Sequence, residues 1–424
     1  MLKTLPQFHT LTSGIRVVSS PMPGTETISV LILVRVGSRD EDERAQGVSH
    51  FLEHLFFKGS EKRPTVEEIS HLLDSIGAHF NAFTTKEFTG FYITAAHNKL
   101  ELVLDVLSDV LLHSLFNPEE IDRERKVILE EMRLYQDTPS RSIGDIFENL
   151  LWPEDSLGRD IIGTTQTLQA MNRNDITGYF RTHYRAPQTV ISVAGKFDTE
   201  HLYGLLERFF EGFDKESKAP HSLSSPLPSS RLALVQEKTS DQAHLAMGVI
   251  SFGLSDKRRE TAEILATILG EGMSSRLFLH VREKLGLAYY VSSVSEQYED
   301  TGYLASYAGV NVENIDLAIK AIREEYETIA SENVSKRELD KAKEYTKGQL
   351  LLELESSFAM ARLIGFKELL LGERESLEAY FQRIDAVTES DIRDLASLLF
   401  AKGNIRLAVI GPYKEEGRFE GLLI

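Results

Sequence analysis

Apolar side chains recur with the period of an α-helix between residues 47 and 57. They fall at positions i, i+3, i+4, i+7 and i+8, which predicts one buried stripe: Val48, Phe51, Leu52, Leu55 and Phe56. Three ionisable residues of the same stretch, His50, Glu53 and His54, fall on the opposite side. The pattern predicts a helix with one face in a core and a cluster of ionisable groups on the other.

Strand and helix patterns alternate through the first half of the chain. Runs rich in β-branched and aromatic residues predict strands at 14–20 and 27–36, within 80–94, and at 189–194. A capping box at 65–68 opens a helix that should stop at Gly77, and Asn117 with Pro118 opens one that runs to about Tyr135. Further helices are predicted at 98–115 and 175–184.

The second half repeats this order of elements. Its predicted elements are a strand at 243–249, a helix at 259–269, strands near 287–294 and 302–309, and helices from about 312 and 335. Aligning 118–122 with 336–340 places Gln349 opposite Glu131 and Ala342 opposite Glu124. In a separate alignment around the first helix, His50, Glu53 and His54 align with Glu263, Ala266 and Thr267. If the halves are duplicated, the second has lost the ionisable cluster.

A segment rich in serine and proline, 216–230, lacks apolar periodicity and is the predicted linker. It divides the chain into two predicted homologous domains, 1–215 and 231–424. The predicted fold class is α+β, and each domain should carry a mixed, largely antiparallel sheet flanked by helices.

Composition narrows the class of protein. The 424 residues are 42% hydrophobic and 26% charged, as in a soluble globular protein, and the mainly apolar stretch 28–34 is too short to span a membrane. With no cysteine, a zinc site must use histidine and carboxylate ligands. No apolar signal segment opens the chain, so we expect a cytoplasmic protein. The net charge of −18 argues against a nucleic-acid partner; it would attract cationic substrates or simply aid solubility.

The ionisable face of the 47–57 helix has the spacing of a metal site. His50 and His54 lie one turn apart and can bind one ion, while Glu53 lies where it can take a proton from a water on that ion. His-x-x-Glu-His is the signature of the inverzincin class of zinc peptidases. The alternative is a solvated helix face that carries these residues by chance.

Two histidines leave a catalytic zinc one protein ligand short. The helix after Asn117 offers four carboxylates: Asp122, Glu124, Glu130 and Glu131. Glu124 and Glu131 are seven residues apart and share a face, whereas Glu130 lies about 100° around the helix from Glu131. One of these carboxylates is a candidate ligand, and a solvated charged helix is the alternative.

These motifs resemble the pitrilysin family of zinc peptidases, and in particular its short two-domain type, to which mitochondrial processing peptidase subunits belong. The family pattern is His-x-x-Glu-His followed after about 76 residues by Glu, and 76 residues separate His54 from Glu131. The family also carries a helical Glu seven residues before the ligand, which Glu124 matches. The resemblance implies zinc on His50, His54 and Glu131, with Glu53 as general base. It also implies that Glu124 contacts a zinc ligand rather than the zinc itself.

Two further stretches match the family. Asn81, Ala82 and Phe83 lie in a stretch that resembles the edge strand onto which a peptide substrate adds as a β-strand. Arg282 and Tyr289, also seven apart, resemble an Arg and Tyr pair that reaches the zinc site from the other domain, where the Tyr hydroxyl would stabilise an oxyanion. Tyr290 is an alternative for that hydroxyl.

The resemblance therefore implies an endopeptidase with one zinc ion per chain that acts on short, unfolded peptides inside a closed chamber. It also implies a homodimer, or a heterodimer with a related subunit. A non-catalytic scaffold or partner subunit is the alternative, although such subunits usually lose part of the zinc motif. A dedicated processing protease and a scavenging oligopeptidase fit the sequence equally.

Overall fold

The computed structural model describes residues 6–213, 229–372 and 374–423. The chain forms two compact units, each built from separate segments. The first unit contains Met1–Met132, Asp160–His221 and Leu351–Leu377, and the second contains Arg133–Arg159, Ser222–Leu350 and Glu378–Ile424. Within the described residues, no helix combines the length and apolarity that a membrane span requires.

The elements of the first half follow the predicted alternation. The strands are β1 (Gln7–Thr10), β2 (Arg16–Pro21), β3 (Thr27–Val34), β4 (His79–Thr84), β5 (Thr89–Ala96) and β6 (Thr189–Gly195). The helices are α1 (Val48–Leu55), α2 (Val66–Ser75), α3 (Leu100–Leu112), α4 (Pro118–Asp137), α5 (Pro139–Leu151), α6 (Thr165–Ala170), α7 (Arg173–His183) and α8 (Thr199–Phe209). The predicted cap of α2 is present, because the Thr65 side chain accepts a hydrogen bond from the Glu68 N–H.

The elements of the second half repeat that order. The strands are β7 (Ala233–Glu237), β8 (Gln242–Phe252), β9 (Ala288–Gln297), β10 (Thr301–Asn311) and β11 (Arg406–Gly411). The helices are α9 (Arg259–Gly270), α10 (Ile315–Ser331), α11 (Lys336–Glu353), α12 (Ser357–Phe366), α13 (Leu377–Ala386), α14 (Glu389–Leu399) and α15 (Glu416–Leu423). Two segments, Phe278–Lys284 and Lys367–Leu371, are π-helical.

The two sheets share one topology apart from β1, an additional edge strand of the first sheet. The order is β1-β2-β6-β3-β5-β4 in the first unit and β7-β11-β8-β10-β9 in the second. Each sheet contains one parallel pair, β2 with β6 and β7 with β11, and the remaining pairs are antiparallel. The predicted α+β class, with a mixed and largely antiparallel sheet in each repeat, is confirmed.

Helices cover both faces of the first sheet. One face packs against α1 and α3 in a core that includes Ile28, Val30, Phe51 and Leu107. On the other face lies α12, and a side chain at Gly365 would begin only 2.8 Å from Leu33, so helix and sheet are in close contact. Burial on both faces explains why residues 28–34 are apolar at every position except Ser29 rather than alternating.

The second sheet is also covered by a helix from the other half of the sequence. Phe147 of α5, with Trp152 just beyond it, packs against this sheet over small residues that leave room for large rings, among them Ala246 and Ala408. Helix α5 thus belongs to the second unit although it precedes residue 215, and α12 belongs to the first although it follows residue 231. The units therefore differ in these segments from the contiguous domains that were predicted. Most of the predicted linker, 216–230, lies outside the described residues.

Candidate metal centre

Helix α1 is held at its first turn by a buried carboxylate. It begins after Gly47, which has a positive φ of 89° and no side chain to cap the helix. Glu41 takes that role, since its two carboxylate oxygens each accept a 2.7 Å hydrogen bond, one from the Gly47 N–H and one from the Ser49 N–H. Burial raises the pKa of Glu41 to about 8, while these two N–H groups act to lower it.

The apolar stripe of α1 lies in the core of the first unit as predicted, and this fixes the rotation of the helix. On the other side the rings of His50 and His54 lie 4.7 Å apart. Oε2 of Glu131, on α4, lies 3.3 Å from His54 Nε2 and 3.8 Å from His50 Nε2. Among the described residues these three form one group whose potential ligand atoms all lie within 4.8 Å of one another. Glu130 is not part of the group.

This donor set fits zinc. Two imidazole nitrogens and one carboxylate oxygen are a common ligand set of catalytic zinc, and donors on one tetrahedral ion lie about 3.3 Å apart. In addition, His50 Nδ1 is buried without a hydrogen-bond partner among the described residues. His50 is buried and the other two donors are half-buried, and such a group of polar side chains is well suited to hold a cation between its donors.

The two histidines have opposite pKa shifts. Burial, with the neighbouring charge of His54, lowers the pKa of His50 to about 4. Burial also acts to lower the pKa of His54, but hydrogen bonds to Glu124 and Glu131 outweigh it and raise that pKa to about 9. The hydrogen bond from His54 is the largest cause of the lowered pKa of Glu131.

Glu53 lies on the same helix, between the two histidines in sequence. Burial raises the pKa of its carboxyl above the ordinary value, and hydrogen bonding by Thr84 opposes the rise. A carboxyl with a raised pKa is what a group that both accepts and returns a proton near neutral pH requires. Thr84 is the last residue of β4, so Glu53 is in contact with the edge of the sheet.

Glu124 is almost fully buried behind His54. Its Oε2 lies 3.1 Å from His54 Nδ1, and its Oε1 lies 2.7 Å from Lys58 Nζ. Burial acts to raise the pKa of Glu124, but the hydrogen bonds from His54 and Lys58 outweigh it and the pKa is lowered. With Nδ1 held by Glu124, His54 presents Nε2 to Glu131.

Strand β4, which contains Asn81, Ala82 and Phe83, is an edge strand. Within the described chain it pairs with β5 alone, so the main-chain groups of alternate residues face away from the sheet, and the Ala82 N–H donates a 2.9 Å hydrogen bond to Asn81 Oδ1. The Phe83 ring lies directly over Gly90 of β5, where a Cβ would come within 2.3 Å of it. The strand is thus fixed from one side while its open edge remains available for pairing.

Two family models match successive parts of the chain. Residues 16–165 match the model described as Insulinase (Peptidase family M16), and residues 170–345 match the one described as Peptidase M16 inactive domain. An "uncharacterized zinc protease" of Streptomyces coelicolor is 34% identical over 417 residues, covering 96% of this chain and 90% of the relative. The chain belongs to peptidase family M16. The predicted membership of the pitrilysin family is thereby confirmed.

Other M16 relatives have the same extent. An "uncharacterized zinc protease" of Bacillus subtilis is 33% identical over 404 residues, covering 95% of this chain and 98% of the relative. The crystal structure of a protease from Helicobacter pylori superposes with a TM-score of 0.89 at 24% identity, covering 96% of this chain and all of that one. A "peptidase M16 inactive domain" from Pseudomonas fluorescens superposes with a TM-score of 0.89 at 17% identity, covering 97% and 99%. These two likenesses show the fold.

Arg282 and Tyr289 lie in the second unit of this M16 chain. Arg282 is in the π-helical segment, with its guanidinium over the Phe278 ring, and Tyr289 is in β9, an edge strand within the described chain. The pairing of β9 with β10 shifts at this point, so that Tyr289 forms a bulge and its side chain is 56% exposed. Their role at the metal centre stays a prediction.

The alternative residue, Tyr290, is engaged within the second unit. Its hydroxyl lies 3.0 Å from His244 Nδ1, and its ring covers Gly309, where a Cβ would come within 2.4 Å of it. Burial raises the pKa of Tyr290 to about 12. Of the two tyrosines, Tyr289 is therefore the one whose side chain is presented to solvent.

In the second repeat, the residues aligned with the two histidines make hydrogen bonds within their own unit. Thr267 of α9, aligned with His54, shares a 3.2 Å hydrogen bond with Thr346 of α11. Glu263, aligned with His50, accepts a hydrogen bond from the Tyr380 hydroxyl. In the part of the chain that the structure describes, no second group of three metal donors occurs.

Sequence reasoning did not single out Glu41, Lys58 or Thr84. Lys58 follows His54 by four residues, a spacing that places two side chains on one side of a helix, and this was the available signal. Glu41 and Thr84 contact α1 from a loop and a strand, and no local pattern indicates such contacts.

Proposed function

We propose that this M16 chain is a zinc-dependent endopeptidase that hydrolyses short, unfolded peptides. The observation that carries the proposal is the convergence of His50, His54 and Glu131 on one point, with Glu53 on the same helix. The names of the relatives, zinc proteases from several bacteria, support it.

His50, His54 and Glu131 would hold the metal. Zinc supplies Lewis acidity, which makes water a better nucleophile and a peptide carbonyl a better electrophile. Glu53 removes a proton from the attacking water and returns it to the amine that leaves, a role that its raised pKa favours. Glu124 keeps the His54 ring in place during both transfers.

The open edge of β4 is the proposed binding site for the peptide. An extended peptide can pair with the main-chain groups that alternate residues of the stretch Asn81, Ala82 and Phe83 present at this edge, where it would displace the Asn81 side chain from the Ala82 N–H. Such pairing does not require a particular sequence. Folded proteins rarely offer a free strand, so this mode favours unfolded peptides. In the same proposal Arg282 and Tyr289 assist at the reacting carbonyl, as the family resemblance implies.

The proposal includes a homodimer, or a heterodimer with a related subunit, that encloses the peptide in a chamber within the cytoplasm. The dimer and its chamber are supported by the family resemblance. Light scattering at working concentration measures the mass of the particle. A mass equal to one chain, both for the protein by itself and after mixing with a related subunit, would contradict the dimer.

A non-catalytic scaffold subunit is the second candidate. It is favoured by the match of residues 170–345 to a model described as an inactive domain. Against it stands the complete set of His50, Glu53, His54 and Glu131, since a scaffold has no need of a full donor set beside a carboxyl with a raised pKa.

The test compares wild type with Glu53→Gln on a mixture of unstructured peptides, after zinc content has been measured in both. Cleavage by wild type that disappears in the variant, at equal zinc content, is the expected result. Equal cleavage by both would indicate a contaminating protease. Zinc binding without cleavage in either would favour the scaffold.

A further inference from the structure

Lys58 lies next to the metal centre and has no role in the mechanism described so far. It follows the end of α1, where its N–H donates to the Leu55 carbonyl and continues the turn of the helix. Its Nζ lies 2.7 Å from Glu124 Oε1, and the Glu124 side chain is only 4% exposed. The carboxylate is therefore largely removed from water, while the Lys58 side chain is 28% exposed. Charged hydrogen bonds to a carboxylate in such a site are strong.

The two oxygens of Glu124 have separate partners. Oε1 is held by Lys58, and Oε2 lies 3.1 Å from His54 Nδ1. A carboxylate fixed at one oxygen by an ammonium group cannot rotate freely about its terminal bond. The orientation of the other oxygen is thus determined by the lysine.

We propose that Lys58 is a positioning residue for the metal centre, which holds Glu124 so that Oε2 faces His54 Nδ1 and His54 Nε2 faces Glu131. The inference rests on the metal site of the proposed function. Residues that orient a histidine ligand typically contribute 10- to 100-fold to metal affinity. Lys58 acts one contact further out, through Glu124.

A simple charge effect predicts the opposite result. Lys58 carries a positive charge close to a site for a divalent cation, and repulsion alone would make zinc bind more tightly when the charge is removed. Positioning predicts weaker binding, since Glu124 loses its fixed orientation and remains buried with one partner fewer. The sign of the change therefore separates the two.

Lys62 provides a matched control on the same stretch of chain. Its Nζ lies 2.6 Å from Asp105 Oδ1, and its side chain is 56% exposed. The control replaces the same residue type four positions further along, in an ion pair outside the metal centre. Methionine substitutes for either lysine with similar length and no charge.

The experiment measures the zinc dissociation constant of the full chain, stripped of metal, by competition with a chelating fluorophore. Lys58→Met should weaken zinc binding about 10-fold or more. Lys58→Arg should bind zinc within about threefold of wild type, because the guanidinium also pairs with a carboxylate. Lys62→Met should bind zinc as wild type does. Circular dichroism melting of the zinc-free proteins identifies any variant that has not folded, in which case Lys58→Arg and Lys58→Gln replace it.

A second comparison tests the route through Glu124. In a Glu124→Gln background, Lys58→Met should cause no further loss of zinc affinity. Unchanged or tighter binding in Lys58→Met, or a loss that adds fully to that of Glu124→Gln, would overturn the inference. Wild type that binds zinc without cleaving peptides would contradict the proposed peptidase activity alone, because the lysine is tested by affinity.

Discussion

Replacing Phe147 with alanine should destabilise the second unit, although residue 147 lies in the first half of the sequence. Phe147 is fully buried, and its ring centroid lies 5.6 Å from that of Tyr303 in β10. Removing a fully buried phenylalanine side chain costs about 3–5 kcal/mol, which includes the cavity left behind. The cost should fall on the unit in whose core the ring is packed.

The chain contains a natural probe for this measurement. Trp152 is its single tryptophan, and it is fully buried in the same cluster as Phe147. Its fluorescence during urea unfolding therefore reports on the second unit. With an m-value of about 2.5 kcal/mol per molar urea, the loss corresponds to a midpoint lower by about 1–2 M.

Phe210→Ala is the matched control, since Phe210 is equally buried but packs in the core of the first unit. It should leave the tryptophan transition unchanged while lowering stability elsewhere in the chain. If both variants shift the tryptophan midpoint equally, the units unfold as one and the reasoning from separate cores is refuted.

Three further predictions concern single contacts. Glu131→Gln should lose zinc on dialysis because a neutral amide is a poor ligand, whereas Glu130→Gln should keep its zinc. Full zinc content in Glu131→Gln would indicate Glu130 as the ligand instead. Gly309→Ala should cost about 1–3 kcal/mol, because the new Cβ would meet the Tyr290 ring at 2.4 Å, and an unchanged melting temperature would contradict this close contact. Burial acts to raise the pKa of Glu338, but hydrogen bonds from Arg276 outweigh it and lower that pKa from 4.5. The Arg276–Glu338 pair therefore stabilises the fold above pH 4.5, and this stabilisation is lost as the pH falls through the lowered pKa. Glu338→Gln should therefore lower the free energy of unfolding by about 1–2 kcal/mol at pH 7 and by progressively less below pH 4, and a difference independent of pH would contradict the assignment.

The metal helix was predictable because its information is local. The buried stripe of α1 fixes the rotation of the helix, and the same spacing places His50 and His54 one turn apart. Caps set the starts of helices for similar reasons, as at Thr65, where a short-range side-chain hydrogen bond replaces a missing helical one. The identity of Glu131 as the third donor required more than local pattern, because Glu130 offered the same chemistry, and only the family resemblance separated them.

The helices α5 and α12 were not predicted. In α12 only Arg362 is exposed, so the helix has no polar face and its sequence lacks the period of an amphipathic helix. Nothing local indicates which sheet a helix will cover. The bulge at Tyr289 is equally inaccessible from sequence, since it depends on the register between β9 and β10.

The position of α12 has a consequence for synthesis on the ribosome. The sheet that carries the candidate metal centre needs α12 on its second face, where the Ser192 hydroxyl donates to the Ala361 carbonyl and Ser29 meets Ser357. That helix is translated more than 150 residues after β6, the last strand of the sheet. The metal-binding unit therefore cannot complete its packing once only the first half of the chain has been translated. In a nascent chain shorter than about 366 residues, one face of that sheet is not covered by α12.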